Sequence, residues 1–134
     1  MALKEVKKWP PNIQQIQSVF DIKGVDVCFS YGDTIYNPSG NYIDTPLLAH
    51  EATHSAQQER LGSPEVWWHK YLTDKPFRKE QELEAYREQY KVFCMFENDR
   101  NYRARFAFKI ASDFSSKIYG SIISFSDAYK AITQ

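Results

Sequence analysis

The chain has 134 residues, with 17 basic and 17 acidic side chains, a formal net charge of zero and 43% apolar residues. This length suits one domain, and the aromatic fraction of 16% supplies enough material for a packed core, which excludes a wholly disordered chain. Balanced charge provides no electrostatic attraction for nucleic acid or for an anionic membrane, so we expect neither as a partner.

The first third of the chain is predicted to contain one short helix and a small sheet. Apolar residues recur at helical spacing over residues 13–20, directly after two prolines. Apolar and polar residues alternate over residues 25–31, as in a half-buried strand. Residues 34–36 can return as a second strand after the turn at Gly32 and Asp33. We therefore expect a short antiparallel sheet.

The rest of the chain carries helix signals. Thr45 and Pro46 form an N-cap followed by a proline at the first helical position, and Gly62 is placed to end a helix that covers about 46–60. Similar signals predict a short helix from residue 64, a long one over about 76–97, another over about 101–117 and a short one over 126–132. The fold class is α+β, in which the sheet precedes a mainly helical bundle within one domain, 1–134.

The cysteines and the beginning of the chain suggest a compartment. Cys28 and Cys94 lie far apart and neither belongs to a metal-binding cluster, so we expect neither a disulfide scaffold nor cysteine-ligated zinc. The N-terminal residues contain no apolar run of the kind a signal peptide needs, and no segment has the roughly 20 apolar residues of a membrane span. We expect a soluble protein of a reducing compartment.

The helix over 46–60 contains the sequence His50-Glu51-Ala52-Thr53-His54, an HExxH motif. Two histidines four residues apart lie on one helix face, roughly 6 Å apart along the axis, so both can bind one metal ion. Glu51 lies beside this pair, where its carboxylate can reach a water molecule without being a ligand. The motif predicts a zinc (Zn2+) site with His50 and His54 as ligands and Glu51 as general base.

A catalytic zinc ion takes three protein ligands, so a third must come from elsewhere in the chain. The residues after His54 do not include a histidine at the HExxHxxGxxH spacing, which excludes that class of site. The long helix offers several glutamates. Glu82 is the one most nearly directed toward the core, and Glu84 is the next candidate. Glu80 and Glu88 share a face with Glu84, and the whole acidic run is alternatively a solvated face of ion pairs.

The motif helix followed by Glu82-Leu83-Glu84-Ala85-Tyr86 resembles the gluzincin metallopeptidases, in which a second helix supplies a glutamate ligand within an E-x-x-A-D type sequence. The resemblance covers about residues 25–97, and the short chain is similar to minimal single-domain gluzincin-like proteins, some of them from phages. It implies a small zincin-like fold, Glu82 as the third zinc ligand and Ala85 as a small residue that lets two helices approach. Tyr86 stands where the family usually has aspartate, so the motif does not show which residue orients a ligand histidine.

The resemblance implies a zinc-dependent metallopeptidase in which Glu51 takes a proton from water and passes it to the departing amine. A peptide could bind by strand addition to residues 34–36 or 42–44. Gln57 lies on the metal-facing stripe, where it could contact the site or simply pack on a neighbouring helix. The candidate oxyanion donors are His69, Tyr71, Tyr86 and Tyr90, although a surface position is the simpler interpretation of His69.

Two other functions fit the same residues. One is a non-enzymatic zinc-binding structural protein or virion component, part of a larger assembly, that keeps a relic peptidase site. The other is a metal-dependent hydrolase that cleaves an amide outside proteins, such as a cell-wall peptide. Under any of these functions we expect a cytoplasmic or virion-associated location.

Overall fold

Six α-helices and a three-stranded sheet make up residues 3–134, which are the residues that the computed structural model describes. The strands are Lys4–Val6 (β1), Phe29–Tyr31 (β2) and Thr34–Tyr36 (β3). The helices are Ile13–Val19 (α1), Thr45–Leu61 (α2), Pro64–Thr73 (α3), Lys75–Phe96 (α4), Arg100–Phe114 (α5) and Phe125–Thr133 (α6), with a 3-10 turn at Lys117–Tyr119 between the last two. The predicted α+β class, mainly helical after a small sheet, is confirmed.

The sheet differs from the predicted antiparallel pair. Its strand order is β1-β3-β2, in which β2 pairs antiparallel with β3 and β1 pairs parallel with β3. The predicted antiparallel pairing of the two strands is confirmed for β2 and β3, but the sequence does not predict β1, whose parallel pairing makes the sheet mixed. No sequence pattern marks β1, because it lies in a charged segment where Lys4 and Glu5 are exposed and only Val6 is partly buried. Because β3 is the central strand, both of its edges are paired, and the predicted addition of a peptide to residues 34–36 is wrong.

The strand predicted over residues 25–31 begins only at Phe29. Val25 is exposed, and the side chain of Asp26 accepts hydrogen bonds from Ser39 Oγ at 2.8 Å and Asn41 Nδ2 at 2.6 Å. Side-chain contacts with the turn over residues 37–41 thus hold this segment, in place of the backbone ladder of a strand.

Side-chain caps set the beginning of α2 and of the two helices after it. The carboxylate of Asp44 accepts a hydrogen bond from the backbone N–H of Leu47 at 2.9 Å, so Asp44 is the N-cap and the predicted Thr45 is the first residue of α2. Ser63 and Asp74 cap α3 and α4 in the same way. The predicted stop at Gly62 is confirmed, since this glycine adopts a left-handed φ of 110° at the C-cap.

Helix α2 packs along α4, and this pair joins the two apolar clusters of the molecule. One cluster lies on the side of α2 that contacts β2 and α3, and it is built around Trp67, Trp68 and Phe29. The other lies where α4 contacts α5 and α6, around Ile110 and Phe114. Within the described residues no helix is both long enough and apolar enough to cross a membrane.

Ala85 is fully buried on the face of α4 that meets α2, and we expect it to tolerate no larger side chain. Replacing Ala85 with Leu should lower the free energy of unfolding by about 1–3 kcal/mol, because overpacking forces the two helices apart. Urea denaturation followed by circular dichroism measures this. The control is Ala56→Leu on the exposed side of α2, which should change stability by less than about 0.5 kcal/mol. Equal effects of the two substitutions would contradict the assigned helix contact.

Candidate metal centre

Three side chains from α2 and α4 converge on one point. Oε1 of Glu82 lies 3.2 Å from Nε2 of His50 and 3.2 Å from Nε2 of His54. One ligand atom from each residue lies within 4.8 Å of the others, and all three residues are buried. The structure therefore brings together the three ligands that the sequence predicts.

This donor set fits a zinc ion. Two imidazole nitrogens and one carboxylate oxygen are zinc ligands at about 2.0–2.2 Å, and at such distances neighbouring ligands in a tetrahedron are about 3.4 Å apart. The two nitrogen-to-oxygen separations of 3.2 Å are close to that value. A zinc ion held by these three donors would keep one further position for water or substrate, as in catalytic zinc sites.

Charge pairing keeps the Glu82 carboxylate ionised although it is buried. Burial alone would raise the pKa of Glu82, but the His54 and His50 imidazoles outweigh this and hold the pKa well below its usual range. For His54, burial alone would lower the pKa, yet the Glu82 carboxylate raises it to about 9. The second oxygen of Glu82 accepts a hydrogen bond from the hydroxyl of Tyr71. The negative charge of this ligand is thus fixed in place from two sides.

Each ligand histidine is oriented through its other ring nitrogen by a glutamine. Nδ1 of His50 donates to Oε1 of Gln89 at 3.0 Å, and Nδ1 of His54 donates to Oε1 of Gln57 at 2.8 Å. Both hydrogen bonds place a ring proton on Nδ1, so Nε2 is the nitrogen that would bind a metal. In His54 the metal would displace the Nε2 proton that the pairing with Glu82 favours. The two glutamine amides thus take the orienting role that the resembled family gives to an aspartate. This chain has Tyr86 at the position of that aspartate, and the sequence alone did not show which residue orients a histidine.

Gln57 also connects the site to the outer surface of α4. Its Nε2 donates to the carbonyl of Gln81 at 3.0 Å and to Glu84 Oε1 at 2.8 Å. Glu84 in turn pairs with Arg60 at 2.9 Å on the exposed side. Glu84, the alternative third ligand, is therefore directed away from the metal-binding residues and acts as a partner of Gln57.

Glu51 lies beside the three ligands without joining them. Its Oε2 is 3.9 Å from Nε2 of His50, and its Oε1 accepts a hydrogen bond from Ser30 Oγ at 2.9 Å. Burial raises the pKa of Glu51 above the usual glutamate value, an effect that the two histidines only partly offset. A carboxylate with a raised pKa next to a metal site is suited to accept and release a proton.

A hydrogen-bonded arrangement around Ser30 fixes the position of that hydroxyl. The carbonyl of Ser30 accepts from Gln58 Nε2 at 2.8 Å and from Trp68 Nε1 at 3.0 Å. The other amide atom of Gln58, Oε1, accepts from the backbone N–H of Gly32 at 2.7 Å. Strand β2 is thereby attached to α2 and α3 at the point where it meets Glu51.

The four candidate oxyanion donors separate clearly in the structure. Tyr86 packs against His50, with ring centroids 4.5 Å apart. The hydroxyl of Tyr71 donates its hydrogen bond to Glu82, and Tyr90 packs against the second apolar cluster. His69 is exposed and lines a separate groove with residues of α1, so the surface interpretation of His69 is confirmed.

A cleft of about 1080 Å³ reaches the site. His50 and Glu51 line this cleft together with Tyr86 and Tyr119, whose hydroxyl groups are 2.7 Å apart. Residues 41–44 also line the cleft, and they contain the second segment predicted to bind a peptide. Part of the metal centre is thus reached from the surface.

Sequence reasoning missed Gln89, Ser30 and Tyr119. Gln89 lies seven residues after Glu82 on the same helix face, so the helical period that selected Glu82 could have indicated it. Ser30 and Tyr119 come from a strand and a 3-10 turn far from the motif in sequence. Tyr119 is held through its carbonyl, which accepts from Arg78 Nη1 at 2.9 Å, and no local pattern predicts such a contact.

Comparison of the sequence with protein-family models, with curated proteins and with solved structures gives no match in any of the three cases. An assignment of function therefore depends on the geometry of the site, and the resemblance to gluzincins stays a prediction.

Replacing Gln89 with Leu should weaken zinc binding about 10- to 100-fold, because His50 loses the acceptor that orients its ring. Competition with a chromogenic chelator measures the affinity. Gln17→Leu, at an exposed position on α1, is the matched control and should bind zinc as the wild type does. An unchanged affinity in Gln89→Leu would show that this amide does not orient the ligand.

Proposed function

We propose that the protein is a zinc-dependent metallopeptidase with a minimal zincin-like, gluzincin-type domain. The observation that supports this most directly is the convergence of His50, His54 and Glu82 beside a second carboxylate, Glu51, that is not part of the three. A purely structural zinc site has four protein ligands. Here three protein donors converge, and one of them, His50, lines an open cleft together with Glu51, which favours hydrolysis over the structural alternative.

The chemistry divides between the metal and the chain. A bound zinc ion supplies Lewis acidity, which activates water and polarises an amide carbonyl. The Glu51 carboxylate accepts the proton of the attacking water and delivers it to the nitrogen of the departing amine. Ser30 holds the carboxylate of Glu51 in position for both transfers.

The residues around Glu51 provide the other groups that hydrolysis needs. Tyr86 is the candidate oxyanion donor in contact with a ligand ring, and its hydroxyl is hydrogen-bonded to that of Tyr119 on the cleft wall. Residues 41–44 also line the cleft, where an extended peptide can lie. Protein and cell-wall peptides present the same amide, so the proposed chemistry covers both substrate classes.

Substituting Glu51 by Gln should lower the rate of hydrolysis by at least about 10²-fold while zinc remains bound, because the amide can neither accept nor return the proton. Hydrolysis of a quenched fluorescent peptide library and of a purified cell-wall peptide measures turnover, and elemental analysis measures zinc. Glu59→Gln, an exposed carboxylate on the same helix, is the control and should retain wild-type activity. Full activity in Glu51→Gln would contradict the general-base assignment.

Zinc content should depend on His54. The wild-type protein should carry about one zinc per chain, and His54→Ala should lose it, since only two ligands would remain. A wild type without zinc, or a variant that carries as much as the wild type, would overturn the proposal. Stoichiometric zinc without hydrolysis of either substrate class would support the non-enzymatic alternative.

A further inference from the structure

Arg78 of α4 is a buried cation whose hydrogen-bond partners are backbone carbonyls. It is only 3% exposed, and within residues 3–134 it forms no ion pair with a carboxylate. Its Nε donates to the carbonyl of Tyr71 at 2.9 Å, and its Nη2 donates to that of Leu72 at 3.2 Å. Its Nη1 donates to the carbonyl of Tyr119 at 2.9 Å. Because a buried charge is costly without such partners, these bonds hold the end of α3 and the 3-10 turn against α4.

The 3-10 turn comes close to Arg78 because residue 120 is glycine. Gly120 has a left-handed φ of 86°, and a Cβ atom at this position would lie 3.1 Å from Nη1 of Arg78. The guanidinium also lies over the rings of Phe20 and Tyr71, at 4.6 and 5.5 Å from their centroids. The Nη1 donor is thereby held in one direction, toward the carbonyl of Tyr119.

This contact places the side chain of Tyr119 in the open cleft. The Tyr119 hydroxyl lies 2.7 Å from that of Tyr86, and Tyr86 packs against the ring of His50. Two hydroxyl groups carry two protons, and their mutual hydrogen bond uses one of them. The other proton has no second acceptor among the residues that the structure describes. The pair can therefore donate one proton to a molecule in the cleft.

We infer that Tyr119 and Arg78 are positioning residues for Tyr86, the candidate oxyanion donor. The inference rests on the proposed function and adds two residues to the same site. Arg78 holds the backbone of Tyr119, and the Tyr119 hydroxyl donates to that of Tyr86, so the Tyr86 proton is directed toward the substrate carbonyl. A donor that is oriented in advance needs no reorganisation as negative charge develops on that oxygen. This contribution belongs to the transition state, so we expect it in kcat and not in KM.

Replacing Tyr119 with Phe removes the hydroxyl and keeps the backbone carbonyl that Arg78 binds. The kcat of the zinc-loaded protein on a quenched fluorescent peptide should fall about tenfold, with KM changed by less than about twofold. Tyr129→Phe is the matched control, since Tyr129 packs against the same apolar cluster but is not among the described residues that line the cleft. It should keep the wild-type kcat. A wild-type kcat in Tyr119→Phe would overturn the inference.

Replacing Arg78 with Lys tests the residue that holds Tyr119. Lysine keeps the positive charge, but its ammonium donates from one point and cannot reproduce the planar guanidinium that reaches three carbonyls. At saturating zinc, kcat should fall about as far as in Tyr119→Phe, and the double variant should fall no further. Arg87→Lys, at an exposed position on the same helix, should match the wild type. Additive losses in the double variant would contradict this role for Arg78.

A measurement without turnover separates this inference from the proposed function. In metal-free protein with isotope-labelled tyrosine, the hydroxyl proton shared by Tyr86 and Tyr119 should exchange slowly with water and give a resolved NMR signal. The signal should disappear in Tyr119→Phe and Arg78→Lys and persist in Tyr129→Phe. If it does so but the wild type hydrolyses neither substrate class, the proposed function fails and the hydrogen-bonded arrangement stands. An active wild type whose signal is unchanged by Arg78→Lys would overturn this inference alone.

Discussion

The buried face of α2 contains only polar side chains: His50, Glu51, His54, Ser55, Gln57 and Gln58. Burying such groups is unfavourable unless each one finds a partner, so this helix cannot be stabilised by apolar burial along its own core-facing stripe. Partners come from α4, which supplies Glu82 and Gln89, and from β2, which supplies Ser30. The hydroxyl of Ser55 is the exception among these six, since it is buried without a hydrogen-bond partner in the described part of the chain. The position of α4 against α2 is therefore set by hydrogen bonds to the motif, and the two apolar clusters hold that arrangement from outside.

The use of amides beside the histidines affects the charge of the centre. Gln57 and Gln89 are neutral, so Glu82 is the one anionic group among the three ligands and the two groups that orient them. A divalent ion held by this set would keep a net positive charge, which would strengthen its attraction for a carbonyl oxygen. The pKa of Glu51 is raised because its carboxylate is buried, and the nearby Glu82 carboxylate adds to this effect. Negative charge at the centre is thus concentrated on Glu82.

Much of the site could be predicted from the sequence because it depends on helical periodicity. The spacing of His50 and His54 and the face of Glu82 follow from 3.6 residues per turn, and both features are present in the structure. Strand β1 and Tyr119 were beyond such reasoning, since each is positioned by a tertiary contact. The parallel pairing of β1 requires β3, and the position of Tyr119 depends on Arg78. Residue type alone could not decide between a catalytic and a surface role for His69. Its exposure in the structure decides for the surface role.

The side chain of Gln58 spans one backbone group of β2 and one of the turn directly after it, donating to the Ser30 carbonyl and accepting from the Gly32 N–H. In this respect its amide stands in for a residue of a neighbouring strand. Strand β2 is at the edge of the sheet, and an open edge is a common starting point for pairing between molecules. Because the Gln58 side chain occupies this edge, the backbone groups of Ser30 and Gly32 are not open to a strand of another molecule. The same contacts keep β2 in the position from which Ser30 reaches Glu51.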